Sequence, residues 1–180
     1  MEIIDLNPID QRMIDQTANL LVIGFHESWP DTPSALAEVL DCLQAGKLNR
    51  VAVSGNDEVV GWIGGRRAYD GYVWELHPLI VHPNHRGAGI GRSLVQDFEA
   101  SVKEMGGLTI YLGTDDLEAQ TSLAGVDVYP NPLEHLAQIR NRKRHPYEFY
   151  QKLGFKVVGM VPDANGFGKP DIMMAKRVGG

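Results

Sequence analysis

The chain has 180 residues, 43% hydrophobic and 22% charged, with one cysteine and a formal net charge of −6. That length and apolar content suit one globular domain with a sizeable core, and the acidic balance argues against a general nucleic-acid binder while suiting a cationic small-molecule partner. No apolar run approaches membrane-spanning length, Met1–Asp5 lacks a signal peptide's layout, and Cys42 alone cannot close an internal disulfide, so a cytoplasmic protein is expected.

In chain order, Glu2-Ile3-Ile4-Asp5 is predicted to be a short strand. Ile9 to Phe25 shows helical periodicity through Ile14, Ala18, Leu21, Val22 and Phe25. A loop over His26 to Thr32 carries Trp29-Pro30-Asp31. A second helix follows, with Thr32 as N-cap and Pro33 at its first position, and stops near Gly46. Cys42 lies in its apolar stripe and reads as buried filler. Arg50 to Ser54 and Glu58 to Ala68 read as a hairpin across Gly55-Asn56-Asp57. Tyr72 to Val81 is a third apolar strand, Ser93 to Met105 a long helix ended by Gly106-Gly107, and Leu108 to Leu112 another strand. Thr114 to Pro132 reads as irregular. Pro146 to Leu153 is a short helix, and Phe155 to Val161 and Ile172 to Lys176 are strands around a Gly/Pro-rich loop. There is no repeat and no linker. One mixed α+β domain over residues 1–178 is expected, with Gly179-Gly180 a frayed tail.

The stretch with the clearest chemistry is Arg86-Gly87-Ala88-Gly89-Ile90-Gly91, between an apolar strand and a helix. Such a turn presents backbone N–H groups at the positive end of a helix dipole, which suits a pyrophosphate. Glycines admit a close backbone approach, and Arg86 supplies a cation matched to phosphate geometry. Neither the dinucleotide fingerprint nor the P-loop pattern fits this spacing. Arg86-x-x-Gly89-x-Gly91, led in by Val81-His82-Pro83-Asn84-His85, resembles the acyl-CoA pyrophosphate loop of the GNAT superfamily of N-acetyltransferases. The resemblance implies acetyl-CoA as cosubstrate, held by Arg86, Gly87, Ala88, Gly89, Ile90, Gly91 and Arg92. Pro78 cannot donate to a ladder and marks a bulge or a break in its strand. In that superfamily the equivalent strand splays from a parallel neighbour and pairs with the pantetheine arm, which points to the backbone of Leu79, Ile80 and Val81.

Tyr150-Gln151-Lys152-Leu153-Gly154-Phe155 looks like the superfamily's late motif, whose tyrosine can protonate the leaving thiolate. A phenol with an ordinary pKa of ~10 is protonated at neutral pH and able to act as that acid. Four further stretches narrow the resemblance: Trp74 to Leu79, Tyr111 to Asp116, His145 to Tyr150, and Asn165-Gly166 through Lys176. Together they are similar to the chromosomal, enterococcal-type branch of aminoglycoside 6'-N-acetyltransferases, from about Trp29 to Lys176. The glycine loop is richer in glycine than in that branch, and the loop after Asp116 differs. The resemblance implies the GNAT fold: a single mixed, mostly antiparallel sheet with a central splayed parallel pair, flanked by helices. It also implies a homodimer.

An aminoglycoside amine must lose a proton before attacking the acetyl carbonyl. Glu75, on the strand just before Pro78, can take it directly or through water, and the resemblance points to the same residue. His77, two residues on, shares its face and either assists or hydrogen-bonds in the core. The backbone N–H of Leu79 is the candidate donor to the oxyanion. No motif suggests a nucleophile, so direct transfer is expected. Asp115 and Asp116 either bind ammonium groups or form a turn. Trp29 and Asp31 are candidate walls of the sugar site, and Asp171 a further carboxylate. The basic run Arg140 to His145 reads as a solvated face. The histidines lack metal-ligand spacing, and no metal is expected. Two alternatives remain at this stage: a GNAT enzyme acting on another amine, or an idle acyl-CoA-binding sensor.

Overall fold

A computed structural model describes residues 1–180, which divide into two compact units: Met1–Ile110 with Val178–Gly180, and Tyr111–Arg177. The first unit holds β1 (Glu2–Asp5), α1 (Gln11–Gly24), α2 (Thr32–Cys42), β2 (Lys47–Val53), β3 (Val59–Ala68), β4 (Val73–Val81), α3 (Ile90–Glu104) and the first residues of β5 (Thr109–Asp115). Strands β1 to β4 form an antiparallel ladder in chain order. The α3 crossover then returns the chain to the start of β4, where the Leu108 and Thr109 N–H groups both donate to Tyr72 O at 2.8 and 3.2 Å. β5 sets off from there alongside β4, as a crossover connection requires.

Helices cover both faces of this ladder. Leu6, Ile14, Ala18, Leu21, Ala35 and Val39 bury one face with Val51, Val53, Trp62 and Ile80. On the other face Phe98 of α3 meets Trp74 edge-on at 6.5 Å. Gly65 makes room for that ring, since a Cβ there would lie 2.5 Å from a Phe98 ring carbon and 2.8 Å from Glu75 O. Arg50 fastens α3 to the ladder by donating to both carboxylate oxygens of Asp97, at 2.6 and 3.1 Å. A buried Asn49 joins β2 to the end of α2, accepting from Trp62 Nε1 at 3.2 Å and donating to Cys42 O at 2.5 Å.

Pro78 does mark a bulge. Gly65 pairs with Leu76 and Ile63 with Leu79, so His77 and Pro78 together oppose Gly64. A Cβ at Gly64 would lie 2.6 Å from His77 O, so only glycine fits there. The extra residue reverses which side chains face which helices. Before it Glu75 and His77 share the face covered by α1 and α2; after it Ile80, paired with Trp62, takes that face.

Helix starts differ in register from the sequence expectation. Asp31, rather than Thr32, caps α2, accepting from Ser34 N–H at 2.8 Å with Pro33 in the second position. α3 begins at Ile90 rather than Ser93, because Gly89 at φ 85° is already its cap. β2 begins three residues earlier than expected, at Lys47.

The second unit holds the rest of β5, α4 (Pro132–Ala137), α5 (Tyr147–Lys152), β6 (Lys156–Val161) and β7 (Asp171–Arg177), with strand order β5-β7-β6. β6 and β7 are antiparallel, with a register shift between Val157 and Gly159. Leu112, Leu123, Phe155, Ile172 and Met174 form its buried centre. β5 runs on to Asp115, beyond the expected end at Leu112, and α4 interrupts the segment before α5. The last residues belong to the first unit, where the Val178 and Gly179 N–H groups donate to Leu108 O at 2.9 and 3.2 Å. Gly179 is therefore held, not frayed. No helix is long and apolar enough to cross a membrane.

Candidate active site

The glycine loop has the geometry of an anion cradle. Gly87 at φ 80° and Gly89 at φ 85° occupy the left-handed region that glycine adopts at least cost. An added Cβ at either would meet nothing within 4 Å, so backbone conformation, not space inside the protein, selects glycine here. The Ser93 N–H to Gly89 O bond, 3.0 Å, is the first of α3. The N–H groups of Ile90, Gly91 and Arg92 precede it, at the positive end of the helix. Ile90 is buried and anchors the turn, while residues 86–89 are exposed. Arg86 Nε donates to Val81 O at 3.2 Å, which folds its cation over the end of β4. These donors and this cation fit a pyrophosphate. Ile80 can offer only its backbone, because its side chain is buried against Gly24.

On the α1/α2 face of the ladder, Glu75 lies directly opposite Arg66, whose Nε donates to Glu75 Oε2 at 2.5 Å. His77 is not a core residue: its side chain is 48% exposed, with Nε2 3.8 Å from Glu38 Oε1. Its ring lies 6.1 Å from that of Trp29, which meets Phe25 edge-on at 5.8 Å. Trp29, Glu38 and His77 thus form one cluster, with Glu75 one strand pitch away. Cys42 donates to Glu38 at 3.5 Å, and burial, reinforced by that carboxylate, pushes its thiol up to about 12, so it is inert filler as expected. Asp31 lies on the surface at the start of α2. The Ser34 backbone N–H holds its exposed carboxylate below the usual range, and its evident work is capping α2. Glu38 and Arg66 escaped the sequence reading. A tight β3–β4 turn would have paired Arg66 with Glu75; no spacing signal links Glu38 to His77.

In the second unit the two neighbouring aspartates part company. Asp115 ends β5 with an exposed carboxylate that accepts from Asn165 Nδ2 at 2.5 Å. Asp116 is fully buried and accepts from the Gln120 N–H at 2.6 Å, the Thr121 N–H at 2.9 Å and the Thr121 hydroxyl at 2.7 Å. It is a loop clasp, and its assignment as an ammonium ligand is withdrawn. Asp116→Ala is expected to cost about 1–3 kcal/mol for each donor left unsatisfied. Urea denaturation reads this, whereas a substrate ligand would raise acceptor KM at unchanged stability. Asp171 opens β7, with its carboxylate against Gly113 of β5, where any side chain would collide with it. Asp115 and Asp171 therefore lie at one end of the adjacent strands β5 and β7.

Tyr150 of α5 is buried edge-on between Phe149, at 5.1 Å, and Phe155, at 5.6 Å. Burial pushes its phenol well above the ordinary range, so it is protonated at neutral pH. Before α5, His145 Nδ1 accepts from the Tyr147 N–H at 3.2 Å, which leaves Nε2 as the donor to Asp115 O at 3.1 Å. Burial lowers this imidazole below 6.5, partly opposed by the Asp115 carbonyl and the charges of Asp116 and Asp115. With the folded value depressed, the unfolded state binds the extra proton. Stability is then full above about pH 6.5 and declines as pH falls below it. Tm measured from about pH 8 to 5 is expected to fall with acid, and less steeply in His145→Gln. Arg140, Arg142, Lys143 and Arg144 are exposed as expected of a solvated face, but His145 at the end of that run is buried. No group of three His, Cys, Asp or Glu side chains is arranged to hold a metal ion.

Residues 14–124 match the model of the acetyltransferase (GNAT) family, which is more than half of the chain. The chain belongs to the GNAT family. It is similar to an aminoglycoside 6'-N-acetyltransferase crystallised with coenzyme A, at 42% identity over 99% of this chain and 97% of that one, with a TM-score of 0.94. The aminoglycoside 6'-N-acetyltransferase from Enterococcus faecium gives the same identity and coverage with a TM-score of 0.92. An aminoglycoside 6'-acetyltransferase type Ii is 38% identical over 99% of this chain and 97% of that one, with a TM-score of 0.79. A comparison with curated proteins finds no match. The expected α+β GNAT fold is borne out, and the glycine cradle is this GNAT chain's strand-to-helix turn between β4 and α3.

Proposed function

We propose that this GNAT protein transfers the acetyl group of acetyl-CoA directly to the 6'-amine of an aminoglycoside. The observation that carries this reading is the end-to-end 42% identity to 6'-N-acetyltransferases, one of them holding coenzyme A. In the proposed reaction Glu75 takes a proton from the acceptor ammonium. The freed amine forms its bond to the acetyl carbon, the carbon–sulfur bond breaks, and the Tyr150 phenol gives its proton to the thiolate; the nitrogen releases its second proton, which makes good the one lost by Tyr150, and the proton on Glu75 passes to solvent. The Leu79 N–H steadies the oxyanion, and His77 lines the acceptor side with Trp29. Residues 86–92 hold the pyrophosphate. Asp115 and Asp171 attract the remaining ammonium groups. The solvent-facing edge strand β6, with Val158 61% and Val161 49% exposed, supports pairing with a second copy as a homodimer. The single buried thiol of Cys42 suits a reducing cytoplasm, where such an enzyme would confer antibiotic resistance.

Thiol release from acetyl-CoA tests the reading with kanamycin and tobramycin (free 6'-amine), a 6'-hydroxyl aminoglycoside, spermidine and a lysine peptide. Fast turnover confined to free 6'-amines is expected. Turnover only with spermidine or the peptide would overturn the acceptor, and silence with intact acetyl-CoA binding would overturn the enzyme.

A further inference from the structure

The carboxylate of Glu75 is engaged before any substrate arrives. Arg66 is its directly opposite cross-strand partner, with Nε 2.5 Å from Oε2. The pairing cannot slip by a residue, because the bulge opposite Gly64 and the Phe98 ring under Gly65 fix the register on either side. Nor can Arg67 substitute for Arg66: it points to the other face, with its guanidinium 5.3 Å from the Trp74 ring centre. The Arg66 side chain is 58% exposed and that of Glu75 only 19%. An ion pair with so exposed a partner adds little to stability. What it does fix is direction, since a free glutamate side chain samples several rotamers.

We propose that Arg66 is a positioning residue for proton transfer. Its guanidinium holds Glu75 Oε2, which fixes the carboxylate plane and leaves Oε1 to take the acceptor's proton. The inference rests on the reading of Glu75 as the base. It adds a residue that acts through Glu75 rather than on the reacting atoms.

The test is a double-mutant cycle of Arg66→Met and Glu75→Gln, with Arg66→Lys as the conservative variant, read as kcat, acceptor KM, acetyl-CoA affinity and Tm. Arg66→Met is expected to lower kcat about tenfold, a modest misplacement of a reacting group. Its acetyl-CoA affinity and Tm should match the wild type, and its acceptor KM should not rise, because a cation has been removed beside a cationic substrate. Arg66→Lys should recover part of the loss. In the Glu75→Gln background Arg66→Met should cost nothing further, the signature of coupled residues. A wild-type kcat in Arg66→Met, or the same loss persisting without the Glu75 carboxylate, overturns the proposal. Wild-type turnover in Glu75→Gln alone would instead remove the base, and the proposal with it. A slow Glu75→Gln beside a fully active Arg66→Met removes only Arg66.

Discussion

Glu75→Gln is expected to slow acetyl transfer at neutral pH by about 10²–10⁴-fold, the usual weight of a positioned general base. The substitution keeps the shape of the side chain and its seat on β4, but an amide cannot take a proton from an ammonium. Acetyl-CoA affinity should stay near that of the wild type, because the glycine cradle and the first turn of α3 are untouched. Stability should change little, since the ion pair lost is with the largely exposed Arg66. Steady-state rates against pH separate this from a binding defect. The residual activity of the variant should climb at alkaline pH, where more of the acceptor amine is already neutral. Equal rates for variant and wild type near neutrality would remove Glu75 from the chemistry.

The parts of this site legible in the sequence are those where a local rule leaves few choices. A glycine-rich turn between an apolar strand and a helical pattern requires positive φ and a helix N-terminus, and Gly87 and Gly89 supply both. Its end was less legible, because Gly91 reads as loop while its backbone is already in the first turn of α3. Pro78 announced a bulge, but the reversal of faces beyond it depends on which residue of β3 it opposes, and only the register reveals Gly64. Asp115 and Asp116 are chemically alike and adjacent; one ends the strand exposed, the other is buried by the loop that bonds to it, and composition carries no trace of that choice. Asp31 and Thr32 are both good caps, and residue type alone does not say that the extended backbone falls at Asp31. Glu38 reaches His77 through the packing of a helix on a sheet, a distance in space that no spacing encodes.

Phe98→Ala is expected to destabilise the protein by about 3–5 kcal/mol, the range for a buried aromatic ring removed from a close-packed core. Phe98 has no exposed surface and meets Trp74 edge-on. The Gly65 backbone lies directly on the ring and itself brings no side chain to fill the space it would leave. On that side the backbone cannot refill the cavity, which adds to the cost of the lost ring. The same ring links two functions of the first unit. It seats α3, whose first turn belongs to the glycine cradle, and it lies beneath the β3–β4 pairing that sets Arg66 opposite Glu75. Urea denaturation should show a lower midpoint at an unchanged slope, and saturating acetyl-CoA should restore part of the loss by binding only the folded state. Phe98→Leu, which refills most of the volume, should cost substantially less than Phe98→Ala. If both variants were as stable as the wild type, this contact would not hold α3, and its packing would not fix the register beneath Glu75.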